Sequence, residues 1–176
     1  MTTEPEPTLL EFVQYNQWAN EALLAVCANV DPALLDAEIP GAYGTIVTTF
    51  LHVLRAEAGF LKRIHGRAPE PPFAWDGRPV LAQLTAFESE LGARLLETVR
   101  GVPPTQNVHE EAPGWSFDYQ ARLIFMSIVY HGVAHRTDIT TFLSRSGVEL
   151  PELDVWGYQA AHPERFAARL VRVGGG

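Results

Sequence analysis

Prolines and glycines cut this chain into long helical stretches, and that punctuation limits its fold more than any other feature. The first stretch runs from about Pro7 to Ala28, where Leu9, Phe12, Val13, Asn16, Asn20, Leu23 and Cys27 recur at three- and four-residue steps. The second runs from about Thr45 to His65, with Ile46, Phe50, Val53, Leu54, Glu57, Phe60, Leu61 and Ile64 on one stripe. Gly66 suits its C-terminal cap, and the cations of Lys62-Arg63-Ile64-His65-Gly66-Arg67 suit the negative end of a helix dipole. The third spans about Val80 to Arg100 on Leu81, Leu84, Phe87, Leu91, Leu95 and Val99, and the fourth about Asp118 to Arg145. Pro163 fits the first turn of a short C-terminal helix reaching Val171.

No strand alternation stands out. The expected fold is therefore all-α, a four-helix bundle with long loops between helices two and three and between helices three and four. A chain of 176 residues suits one domain spanning 1–176, with flexible ends at 1–6 and 172–176. The first long loop, about 14 residues, can cross the length of a 20-residue helix, so helices two and three can run parallel or antiparallel.

Composition narrows the function. A net charge of −8 argues against a nucleic-acid partner, because phosphate backbones favour basic surfaces. There is no apolar run of about 18 residues to span a membrane. The acidic, proline-broken start lacks the pattern of a secretory signal, so a cytoplasmic location is expected. The single cysteine, Cys27, lies on a core stripe; it excludes an internal disulfide and a cysteine-rich zinc site.

The chemistry concentrates in Tyr130-His131-Gly132-Val133-Ala134-His135-Arg136. His131 and His135 stand one helical turn apart on the stripe of Ala121, Ile124, Ile128, Ile139 and Phe142. A buried imidazole needs a partner. One metal ion would satisfy both rings; hydrogen bonds to other side chains would do so too. His52 is the natural third ligand if the second helix packs beside the fourth, on a face of small residues (Thr45, Thr49, Ala56, Gly59); otherwise it is a solvated histidine. His65, His109 and His162 read as surface residues. Asn16, Asn20 and Glu57 interrupt apolar stripes. They orient the site from behind or tie helices together, with Glu57 pairing with Arg136, bonding Tyr15 or acting as an acid or base. Asp138, one turn beyond His135, can anchor a ligand imidazole.

Three stretches carry a family resemblance: Tyr15-Asn16-Gln17-Trp18-Ala19-Asn20; Thr49-Phe50-Leu51-His52-Val53 with Glu57 and Leu61; and His131-Gly132-Val133-Ala134-His135-Arg136 with Ile139, Gly147 and Pro151. In order, helix placement and spacing the chain resembles the DinB/YfiT superfamily over almost its whole length. The resemblance implies a four-helix bundle with a three-histidine metal site, and His52, His131 and His135 match its ligands one by one. Many relatives read His-Arg-Gly-Gln-Ile where this chain reads His135-Arg136-Thr137-Asp138-Ile139. Some relatives are S-transferases or isomerases that use bacillithiol, mycothiol or glutathione. The expected function is a metal-dependent transferase in which zinc or nickel activates a low-molecular-weight thiol against an electrophilic substrate. A hydrolase using metal-bound water and a non-catalytic metal-binding stress-response protein are the alternatives, and a homodimer is an expected assembly. The Phe73/Trp75 loop and the Trp115 loop are expected to wall the cleft.

Overall fold

The computed structural model describes residues 7–166. In chain order these form α1 (Pro7–Cys27), α2 (Pro32–Leu35), α3 (Ile46–His65), α4 (Leu81–Gly101), β1 (Asn107–Ala112), β2 (Trp115–Gln120), α5 (Ala121–Arg145) and α6 (Val155–Ala161), then a 3-10 turn at Pro163–Arg165. The ends expected to be flexible, and the far part of the expected C-terminal helix, lie outside the described residues.

Each long helix buries the stripe that its spacing marks. Leu23 and Cys27 of α1, Phe50 and Leu54 of α3, Leu84 and Leu91 of α4 and Ile128 and Ile139 of α5 are sealed from solvent. Phe12 departs from the expected stripe and is 43% exposed. α3 has the strongest punctuation. Thr45 caps its first turn by accepting from the Thr48 amide, Thr48 bonds back to the Thr45 amide, and Gly66 closes the helix with φ of 72°.

α1 packs on α4 and α5, and α3 packs on the same two helices. His65, at the end of α3, bonds Thr98 in the last turns of α4 (Nε2 to Oγ1, 2.9 Å), so these helices end side by side and run parallel. The 66–80 connection returns along their length. Phe73 and Trp75 set their edges against Phe87 of α4. They pack against the margin of the core, where Phe87 gives both rings an apolar surface to cover, and among the described residues neither makes a ring contact with an imidazole.

A purely helical fold is corrected by an antiparallel hairpin, in which Asn107 pairs with Gln120 and Ala112 with Trp115. Pro113 and Gly114 make the turn, with φ of 88° at Gly114, a value at which a side chain would be strained. The hairpin escapes an apolar-alternation search because only Val108 is buried. Polar pairs join its strands instead: His109 with Asp118 (2.7 Å) and Tyr119 with Glu110. Trp115 sits exposed at the hairpin's end and makes no ring contact with an imidazole among the described residues.

The hairpin also moves the start of the last long helix from Asp118 to Ala121. No side chain caps α5. Gln106 and Pro104 carbonyls accept from the Ala121 and Arg122 amides (2.8 and 2.9 Å), so the folded loop satisfies the helix's orphan donors. α6 was not legible as a helix. Asp154 caps it through the Trp156 and Gly157 amides, and Tyr158 packs on Tyr15 and Trp18 of α1. Among the described residues, no helix is long and apolar enough to cross a membrane.

Candidate metal centre

α3 and α5 pack against each other and bring His52 beside His131 and His135. One nitrogen from each of the three rings lies within 4.8 Å of the others. Side-chain rotation closes such a spread onto one ion with bonds of about 2.0–2.1 Å. The Nε2 atoms of His52 and His131 face each other at 3.0 Å. His135 Nδ1 lies 3.1 Å from Asp138 Oδ2, so Asp138 anchors that ring as its one-turn spacing predicts.

His131 and His52 are suited to bind as neutral donors, the form coordination requires. Burial, then the charges of His135 and His52, push the His131 pKa down to about 4. Burial, then His135 and Arg55, lower that of His52. His131 Nδ1 is buried without a hydrogen-bond partner. A half-buried ring with one nitrogen orphaned and the other against a second imidazole is costly unless something binds there. The residues present therefore fit a divalent ion.

Asn16, Asn20, Glu57 and Arg136 come together as well. They form a buried network that also takes in Glu88 of α4. Asn16 Nδ2 donates to Glu57 Oε1 (2.9 Å), and Asn20 Nδ2 donates to Glu57 Oε1 (3.3 Å) and Glu88 Oε1 (3.1 Å). Arg136 Nη1 donates to Asn16 Oδ1 (2.8 Å) and Asn20 Oδ1 (2.6 Å). These residues tie α1, α3, α4 and α5 to one another, and no hydrogen bond among the described residues joins them to an imidazole. Glu57 reaches Arg136 through the two amides. The alternative bond to Tyr15 does not form, since Tyr15 Oη donates to the Leu153 carbonyl (3.0 Å).

Two buried carboxyls share one guanidinium. Burial pushes the Glu57 pKa up to about 7, opposed by Asn16, Arg136 and Asn20. Burial, then the Glu57 charge, push Glu88 well above its ordinary value. Glu88 was legible in principle, four residues after Leu84 and three before Leu91 on a core stripe. Gly132 admits this network to α5. A Cβ there would stand 2.1 Å from Asn16 Oδ1 and 2.7 Å from Arg136 Nη1. Gly132→Ala is expected to cost about 1–3 kcal/mol by overpacking. At roughly 2–4 °C per kcal/mol, thermal denaturation should show a melting temperature several degrees lower, and an unchanged melt would refute the crowding.

The sequence reading missed Tyr43 and Phe60 at the site. Tyr43 stacks on His52 with ring centroids 3.5 Å apart, and Phe60 meets His131 edge to face at 6.5 Å. The only signal for Tyr43 was an aromatic between two glycines, just before the α3 cap. The other histidines stay apart: His65 bonds Thr98, His109 lies on the hairpin, and His162 Nδ1 meets the Tyr158 carbonyl. Cys27 is sealed in the core and burial pushes its pKa up to about 12, in keeping with a packing role.

The three histidines thus converge on the α3–α5 seam. The model of the DinB family covers residues 1–166. The chain belongs to the DinB family. All three motif stretches and the histidine cluster of this DinB-family chain fall inside the match. No curated protein matches it.

Proposed function

We propose that this DinB-family chain is a metal-dependent transferase that presents a low-molecular-weight thiol to an electrophilic substrate. His52, His131 and His135 hold the metal, zinc or nickel, in a four-helix bundle, and the protein works in the cytoplasm as a homodimer. What carries the reading is the convergence of three imidazoles with no carboxylate among them. Neutral ligands leave a divalent ion its full charge, and three of them leave positions open for a further ligand, as in catalytic rather than structural sites. When bound, such an ion supplies Lewis acidity that stabilises a thiolate near neutral pH.

The chain's own groups support an external nucleophile. Cys27 is buried with a thiol held far from ionisation, so the chain's own sulfur is excluded as the attacking group. Asp138 fixes His135, and the Asn16–Asn20–Glu57–Glu88–Arg136 network holds the four helices together.

Titration calorimetry with bacillithiol, mycothiol and glutathione, on zinc-loaded and zinc-stripped protein, tests the reading. One thiol is expected to bind the loaded protein and to lose most of its affinity on stripping. Binding that survives stripping refutes thiol capture at the metal. No binding by any thiol shifts the reading to a hydrolase or a non-catalytic metal-binding protein.

A further inference from the structure

The three imidazoles differ in what orients them. His135 leans on Asp138 through Nδ1. His52 has no carboxylate or carbonyl partner among the described residues, and its one hydrogen-bond contact is the His131 Nε2 that would share the ion. An imidazole turns easily about its terminal torsion, whose preferences are broad. A ring that must aim one nitrogen at a shared point needs something to stop that rotation.

Tyr43 occupies that place. Its ring lies nearly flat on His52, 3.5 Å between centroids with planes 13° apart, and meets His135 edge to face at 5.2 Å and 81°. One side chain thus touches two of the three rings. Tyr43 is 56% exposed, so burying apolar surface does not explain its position. The backbone puts it there. Gly41 and Gly44 bracket it with φ of 86° and 89°, and the Ile39 amide donates to the Gly44 carbonyl at 2.8 Å. Thr48 Oγ1 donates to the Tyr43 carbonyl at 2.7 Å. Thr48 also closes the cap of α3, the helix that carries His52. The turn that holds the tyrosine and the helix that holds the ligand are therefore locked by one residue.

We propose that Tyr43 is a positioning residue for the three-histidine site, holding the His52 ring in its ligating orientation by stacking and slowing loss of the bound ion. The proposal rests on the metal-site reading above, so its test includes a measurement that needs no metal. Tyr43→Leu removes the stacked ring at an exposed position, and Tyr43→Phe keeps it. In zinc-stripped protein, the His52 ring protons are expected to lose their upfield ring-current shift in Tyr43→Leu and to keep it in Tyr43→Phe. In zinc-loaded protein, transfer of zinc to a chelator is expected to be about tenfold faster in Tyr43→Leu and near the wild-type rate in Tyr43→Phe, the scale of one aromatic pair. Unchanged His52 resonances in Tyr43→Leu overturn the proposal, as does a wild-type rate of zinc release from that variant. Failure of the wild-type protein to take up zinc sinks the metal reading instead. The His52 resonances then still decide whether Tyr43 orients the ring.

Discussion

In metal-free protein, Arg136→Leu is expected to lose roughly 3–5 kcal/mol of folding stability at pH 8, and markedly less at pH 5. Arg136 is 4% exposed and is the cation that acts on both buried carboxyls among the described residues. Without it, Glu57 at pH 8 must either stay ionised with only amide donors or take up a proton, and either costs stability. At low pH both carboxyls hold their protons, and less is lost with the guanidinium. The wild type has a related slope. An acid whose pKa is raised on folding stabilises fully at low pH, and that stability is lost as pH rises through the folded value. For Glu57 this window runs from the ordinary 4.5 to about 7, and Glu88 extends it upward. His131 and His52 act the other way: their lowered pKa values cost stability as pH falls below 6.5, for His131 towards about 4. Well above pH 6.5 His131 and His52 no longer oppose the carboxyls, so wild-type stability should fall with rising pH. Glu88→Gln should flatten that fall. Urea denaturation across pH 5–9 measures all of this, and a pH-independent loss below about 1 kcal/mol in Arg136→Leu would contradict it.

His135→Ala is expected to abolish stoichiometric zinc binding while keeping helical circular dichroism and a cooperative melt. The core is carried by side chains such as Phe50, Phe87, Phe125 and Leu143, which are fully buried and independent of the imidazoles. The ion adds stability by mass action, about 2.7 kcal/mol at a hundredfold excess over Kd. For a chain of this size that raises the wild-type melt by roughly 5–11 °C above the variant. In chelator the difference should shrink to a few degrees. A random-coil spectrum for His135→Ala would show instead that the chain folds only around its metal.

The long helices were legible because each satisfies its own rules: an apolar stripe, a cap, and proline or glycine at the ends. α3 is the clearest case, from Thr45 to Gly66. The histidines were legible for the same reason, since His131 and His135 share a face by spacing alone. The hairpin was not, because its strands bury one side chain and are held by polar pairs that carry no apolar period. The parallel course of α3 and α4 was left open because a loop long enough to cross permits either direction. Asn16, Asn20 and Glu57 announced a buried polar cluster, and Glu88 stood on the core stripe of α4, but that they meet depends on how the helices dock. Tyr43 lay beyond reach because a glycine-flanked aromatic says where a turn is and nothing about which ring it will cover.

The central claim is that one metal ion sits among His52, His131 and His135. Anomalous diffraction at the zinc edge, on crystals of the zinc-loaded full chain, tests it most directly. The account predicts one strong peak per chain within bonding distance of one nitrogen from each of these three rings. A peak elsewhere, or no peak in crystals of protein carrying stoichiometric zinc, would contradict it.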